Sequence, residues 1–216
     1  MKLAALVSGG KDSLYAAHVM QQQGHKITQI VSMISENPES YMFHVPNARL
    51  VEKQAETMHI PLVQRKTKGE KEKELNDLKS ALEGLDIDGV VTGAVASNYQ
   101  KTRIDNICKE LSLASIAPLW HADQELLLRK MVDDGFEIII TAVAADGLTE
   151  NWLGRNLNDC MEELIKLSKK HRFSPIGEGG EFETLVVNCP LFKKRLKITE
   201  SKKHWDGMSG WMEIKI

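Results

Sequence analysis

Residues 3–13 read LAALVSGGKDS. Leu3, Ala4, Ala5, Leu6 and Val7 make an apolar run of strand character, Ser8-Gly9-Gly10 interrupts it, and Asp12-Ser13-Leu14-Tyr15 opens a helix. A strand that turns on glycine into a helix start builds an anion site. Glycine lets backbone N–H groups approach phosphate oxygens, and the positive end of the helix dipole favours negative charge. Ser8 and Ser13 add hydroxyl donors, Lys11 adds a cation, and Asp12 offers a carboxylate suited to magnesium. The loop is not a Walker A motif, since Ala5 stands where glycine is needed and Asp12 follows the lysine. Nor is it a dinucleotide fingerprint, because the third glycine is missing.

Outward from this loop, strands alternate with helices. A helix over 12–23 precedes a β-branched strand over 27–34, followed by a loop over 35–47. The pattern continues with a helix at 48–58, a short strand at 60–63, an amphipathic helix at 70–85 and a strand at 89–93. Then come a helix at 98–111, a short strand at 115–119, a helix at 123–134 and an isoleucine-rich strand at 136–143. That last run reads as the final inner strand. The alternation predicts an α/β fold, a doubly wound parallel sheet with its ligand beyond the strands' carboxyl ends. Past residue 145 a helix at 157–171 leads to short strands, among them 196–198 and 211–216, without helices between them. These predict a small C-terminal α+β cap, so the expected division is 1–145 for nucleotide and 146–216 for substrate.

The bulk numbers narrow the class. The 216 residues are 42% hydrophobic, enough for a core, and carry a net charge of −2. That balance gives no basic footprint for stable nucleic-acid binding. Three scattered cysteines, Cys108, Cys160 and Cys189, suggest neither a disulfide framework nor a zinc knuckle. No apolar stretch reaches membrane-spanning length. A cytoplasmic protein is expected.

Three further segments are chemically loaded. The loop SENPESYMFHVPN, 35–47, holds Tyr41 and His44 beyond the second strand, beside the expected nucleotide. GAVASNYQKTR, 93–103, places Asn98, Tyr99, Gln100 and Arg103 after a small-residue turn; Tyr99 and Arg103, four apart, share a helix face. GEGGEFET, 177–184, sets Glu178, Glu181 and Glu183 among Gly177, Gly179 and Gly180, bringing carboxylates and open backbone to one place. A solvated loop or helix face is the plainer reading of each segment taken alone. The seven histidines show no metal-ligand spacing.

SGGKDS resembles the PP-loop of N-type ATP pyrophosphatases, which split ATP between its α- and β-phosphates. With SENPESYMFH, GAVASNYQKTR, WLGR and GEGGEFETLVVNCPLF in order, residues 3–192 resemble the diphthine–ammonia ligases, in their short archaeal-type form. The resemblance implies ATP-dependent amidation of diphthine on translation elongation factor 2 with ammonium, through an acyl-adenylate, with ATP and magnesium as cofactors. It implies that Ser8, Gly9, Gly10, Lys11, Asp12 and Ser13 hold the phosphates, and that Ser32, Met33 and Gly93 adjoin the rest of the nucleotide. Lys11, Asp12, Arg103 and Glu181 form the implied catalytic set, with Asp12 at magnesium. Tyr41, His44, Asn98, Tyr99, Gln100, Glu178, Gly179, Gly180 and Glu183 would meet the acceptor, whose trimethylammonium could be drawn to a glutamate with Tyr99 or Trp120. A homodimer is compatible with this reading. Two alternatives stay open, a PP-loop enzyme that modifies tRNA and a nucleotide-binding sensor without chemistry.

Overall fold

The computed structural model describes residues 1–35, 47–68 and 71–216. Five parallel strands form the first sheet: β1 (Lys2–Leu6), β2 (Lys26–Ser35), β3 (Leu62–Thr67), β4 (Gly89–Val91) and β5 (Ala114–Ile116), in the order β3-β2-β1-β4-β5. The helices between them are α1 (Lys11–Gln22), α2 (Val51–Met58), α3 (Lys71–Leu82) and α4 (Asn98–Glu110). Side chains alternate across a strand, so β1 feeds two cores. Ala4 joins Val31 and Val90 against Leu78 and Leu82 of α3 and Ile104 and Ile107 of α4. Leu3 and Ala5 face the other way, where α1 supplies Leu14, Ala17 and Met20 and α2 supplies Val51 and Ala55. Helices therefore cover both faces, as a doubly wound sheet requires.

The chain reverses direction of strand addition between β1 and β4, which makes their carboxyl ends the place for a ligand. Both the phosphate loop and Gly93 fall there.

After α5 (Gln124–Asp133) the chain enters a second, antiparallel sheet of β6 (Glu137–Val143), β7 (Phe182–Asn188), β8 (Glu200–Trp205) and β9 (Gly210–Lys215), with α6 (Leu157–His171) between β6 and β7. Its order is β7-β6-β9-β8. Two sequence expectations are corrected here. The isoleucine-rich run is the centre of this second sheet, not the last inner strand of the first. Ile138 and Ile140 are fully buried, and burial on both faces gives the same apolar run in either kind of sheet. Residues 196–198 are not a strand; the pairing partner of β9 is β8, whose ESKKHW sequence is polar because it is an exposed edge.

Candidate active site

The phosphate loop is held from outside. Gly9 has φ +91° and its carbonyl accepts from the Val186 N–H at 3.1 Å and from Gln54 Nε2 at 3.0 Å. Gln54 is fully buried and also donates to the Val186 carbonyl at 2.9 Å. The Lys11 N–H donates to Thr184 Oγ1 at 3.2 Å. One residue of α2 and two of β7 thus set the loop's backbone. Ser13 Oγ donates to the Gly10 carbonyl at 3.2 Å and accepts from the Ser8 N–H at 3.4 Å, closing the turn.

A cleft of about 1140 Å³ opens over this loop, and Ser8, Asp12 and Ser13 line it. Lys11 does not. Its ammonium donates to the Ile176 carbonyl and to Asp12 Oδ2 at 2.9 Å, lies 5.2 Å from the Phe182 ring centre, and is only 3% exposed. Its charge reaches the cleft through Asp12. Burial pushes the Asp12 carboxyl upward while Lys11 pulls it back toward ionisation. Asp12 Oδ1 is buried without a partner. Among the described residues no group of three histidine, cysteine or acidic side chains could hold a metal by itself. One free carboxylate oxygen nevertheless fits magnesium, which is commonly held by one or two carboxylates and the substrate's phosphates.

The second wall comes from the end of β4 and the start of α4. A Cβ on Gly93 would stand 2.5 Å from the Asp12 carbonyl carbon and the Ser13 nitrogen. Only glycine lets this strand end lie against the N-terminus of α1. Beyond it, Glu178 Oε1 accepts from three successive backbone N–H groups, Val95 at 3.0 Å, Ala96 at 2.6 Å and Ser97 at 2.8 Å. That clamp ties GEGGEFET to the turn before α4 and leaves Glu178 Oε2 buried and unpartnered. Tyr99 and Gln100 line the cleft. Asn98 and Arg103 do not; the Arg103 guanidinium stacks on the Tyr99 ring, 3.5 Å from its centre. Met33 lines the cleft at the end of β2, whereas Ser32 is buried behind it. Trp120 carries the Lys101 ammonium 5.6 Å from a ring centre and is not a lining residue. Tyr41 and His44 lie outside the described residues.

The second sheet forms the third wall. Gly179, Gly180, Glu178 and Glu183 line the cleft, but Glu181 does not. Its carboxylate accepts from the Ser174 N–H at 2.9 Å and the Gly179 N–H at 2.8 Å, so it shapes the turn. Glu183 is the carboxylate that faces inward. Burial, with Asp12 and Glu181 nearby, pushes it up to about 7 against the pull of Lys11. Sequence reasoning assigned no site residue to the far end of this wall, where the β8–β9 hairpin contributes His204, Trp205 and Trp211. Its strongest available signal was the pair of tryptophans flanking a turn in 205–211.

A family model described as the diphthamide synthase N-terminal domain matches residues 1–115, and one described as the diphthamide synthase C-terminal domain matches residues 123–216. The chain belongs to the diphthamide synthase family. Diphthine–ammonia ligase of Schizosaccharomyces pombe is 35% identical over 237 residues, covering 100% of this chain, which spans 39% of that longer protein. The rat protein of the same name is 37% identical and the human one 36%, each covering 94% of this chain and 84% of their own length. Both parts of the diphthamide synthase family match therefore meet at one cleft, with the phosphate loop in the first and GEGGEFET in the second.

Proposed function

We propose that this chain is an ATP-dependent diphthine–ammonia ligase, converting diphthine on translation elongation factor 2, ammonium and ATP to diphthamide, AMP and pyrophosphate. The observation that carries the reading is the match of both family domains around a single cleft that joins a phosphate loop to an acidic wall. The diphthine carboxylate attacks the α-phosphorus and pyrophosphate leaves; ammonia then displaces AMP from the acyl-adenylate. In this division of labour, the phosphate loop and the first sheet hold ATP, and the second sheet, which reaches the cleft through Ala142 and Val143 of β6, presents the acceptor.

The backbone N–H groups of Gly9, Gly10, Asp12 and Ser13 offer the developing charge on pyrophosphate preorganised donors, while the Ser8 and Lys11 N–H groups hold the loop in shape. Met33 offers the adenine an apolar contact. Asp12 supplies a magnesium ligand, and magnesium, when bound, neutralises phosphate charge. Glu178, by clamping the 95–97 turn, fixes the distance between the two walls, and Glu183 supplies negative charge for the cationic acceptor. Arg103 and Glu181 act indirectly, through Tyr99 and the 174–181 turn. A translation factor as substrate places the reaction in the cytoplasm. No helix among the described residues is long and apolar enough to cross a membrane.

The test is product analysis with purified protein. Diphthine-bearing elongation factor 2, ammonium and ATP should give AMP, pyrophosphate and diphthamide in equal amounts. Intact ATP bound without turnover would favour a sensor instead.

A further inference from the structure

A row of residues crosses the second sheet at the cleft. Glu183 of β7 pairs with Ala142 of β6, Ala142 with Trp211 of β9, and Trp211 with His204 of β8. Residues directly opposite one another in antiparallel strands present side chains on the same face, and all four line the cleft. The register sets a carboxylate and an indole two strands, about 10 Å, apart, with only the methyl of Ala142 between them. The Trp211 ring lies flat on the His204 imidazole, 4.2 Å between centres and 12° between planes, while the residue stays 39% exposed. Its orientation is thus fixed and a face or edge remains open. Only burial and charge act on Glu183; no hydrogen bond from a described residue ties it down.

We propose that Glu183, Ala142 and Trp211 form the seat for the quaternary ammonium group of the acceptor. The inference rests on diphthine being the acceptor, whose trimethylammonium stands on the carbon that bears the reacting carboxylate. A quaternary ammonium has no N–H to donate, so a hydrogen-bonding cradle cannot hold it. Aromatic surface and adjacent negative charge can. Ala142 leaves room above the sheet, Trp211 supplies the ring, and Glu183 supplies the counter-charge. Asp206 adds a second anion at the hairpin turn, where the Met208 and Ser209 N–H groups, at 2.8 and 2.7 Å, hold its carboxylate ionised. A cation seated here leaves its neighbouring carboxylate free to point toward the phosphate loop.

Glycine betaine, a trimethylammonium one carbon from a carboxylate, is the probe, and tert-butylacetate is its control of the same shape without the positive charge. Betaine should compete with diphthine-bearing elongation factor 2 and shift an indole N–H resonance of the wild-type protein. Tert-butylacetate should do so about fivefold more weakly or worse. Trp211→Leu should raise KM for the protein substrate about fivefold or more, with KM for ATP unchanged, and Trp211→Phe should restore most of it. Ala142→Leu, which fills the seat, should abolish betaine binding. A folded Trp211→Leu with wild-type KM overturns the proposal; if that variant does not fold, equal binding of betaine and tert-butylacetate to the wild type overturns it. Betaine binding at an indole without diphthamide formation would keep the seat and remove the ligase reading. Diphthamide formation indifferent to betaine and to Trp211→Leu would remove the seat alone.

Discussion

Replacing Glu183 with glutamine removes a charge that the fold resists carrying. In the unfolded chain this carboxyl loses its proton near its ordinary 4.5; in the folded chain it keeps it to about 7. The folded state binds the extra proton between those values, so wild-type stability falls as pH rises through that window. Glu183→Gln should leave stability unchanged near pH 4 and raise it near pH 8.5 by up to about 3 kcal/mol, while diphthamide formation is lost. Urea unfolding at the two pH values checks the sign. Glu181→Gln should do the reverse. It disrupts one of two carboxylate bonds that shape the 174–181 turn, costing about 1–2 kcal/mol at both pH values, while ATP still raises the melting temperature. Two glutamates of one motif read alike in a sequence, and their hydrogen-bond partners tell them apart. Ser8, Asp12 and Ser13 were legible because a strand, a glycine turn and a helix start are local. Lys11 was not, since its ammonium is claimed by a carbonyl 165 positions further along the chain.

At the scale of elements, the phosphate loop depends on a strand end pressed against a helix start. Gly93→Ala puts a methyl 2.5 Å from the backbone of Asp12 and Ser13, neither of which can move without breaking the turn. The expected cost is about 1–3 kcal/mol of stability, with loss of the melting-temperature rise that ATP gives the wild type. A wild-type rise in a folded Gly93→Ala protein would separate β4 from the nucleotide site. The alternation of strands and helices through β5 was readable because helices bury one stripe and apolar runs, such as the leucine-alanine run of β1 and the β-branched run of β2, separate them. The second sheet was harder. β6 carries the apolar run of a parallel inner strand because both of its faces are covered, and β8 carries lysines because one edge is not. Pairing partners 41 and 69 positions from Ala142 leave no local trace, so the row that joins Glu183 to Trp211 becomes visible only in the fold.

For the whole molecule, the open chemical question is where the amide nitrogen comes from. An enzyme that draws it from glutamine needs a nucleophile to release ammonia, commonly a cysteine thiolate. This chain has three cysteines, and the structure places each in the core. Burial pushes the Cys108 and Cys160 thiols up to about 11 and Cys189 to about 12. At neutral pH all three are protonated, and thiols are poor nucleophiles. None lines the cleft. The cleft itself presents Asp12, Glu178 and Glu183, a wall that attracts ammonium rather than generating it. Free ammonium should therefore support AMP release and diphthamide formation by the purified protein, and glutamine at equal concentration should not. Replacing the three cysteines with alanine or serine should lower stability through lost packing without changing the ammonium-dependent rate per folded molecule. Conversion of glutamine to glutamate in step with amidation, by protein freed of ammonium, would show a nitrogen-releasing site that these thiols do not provide.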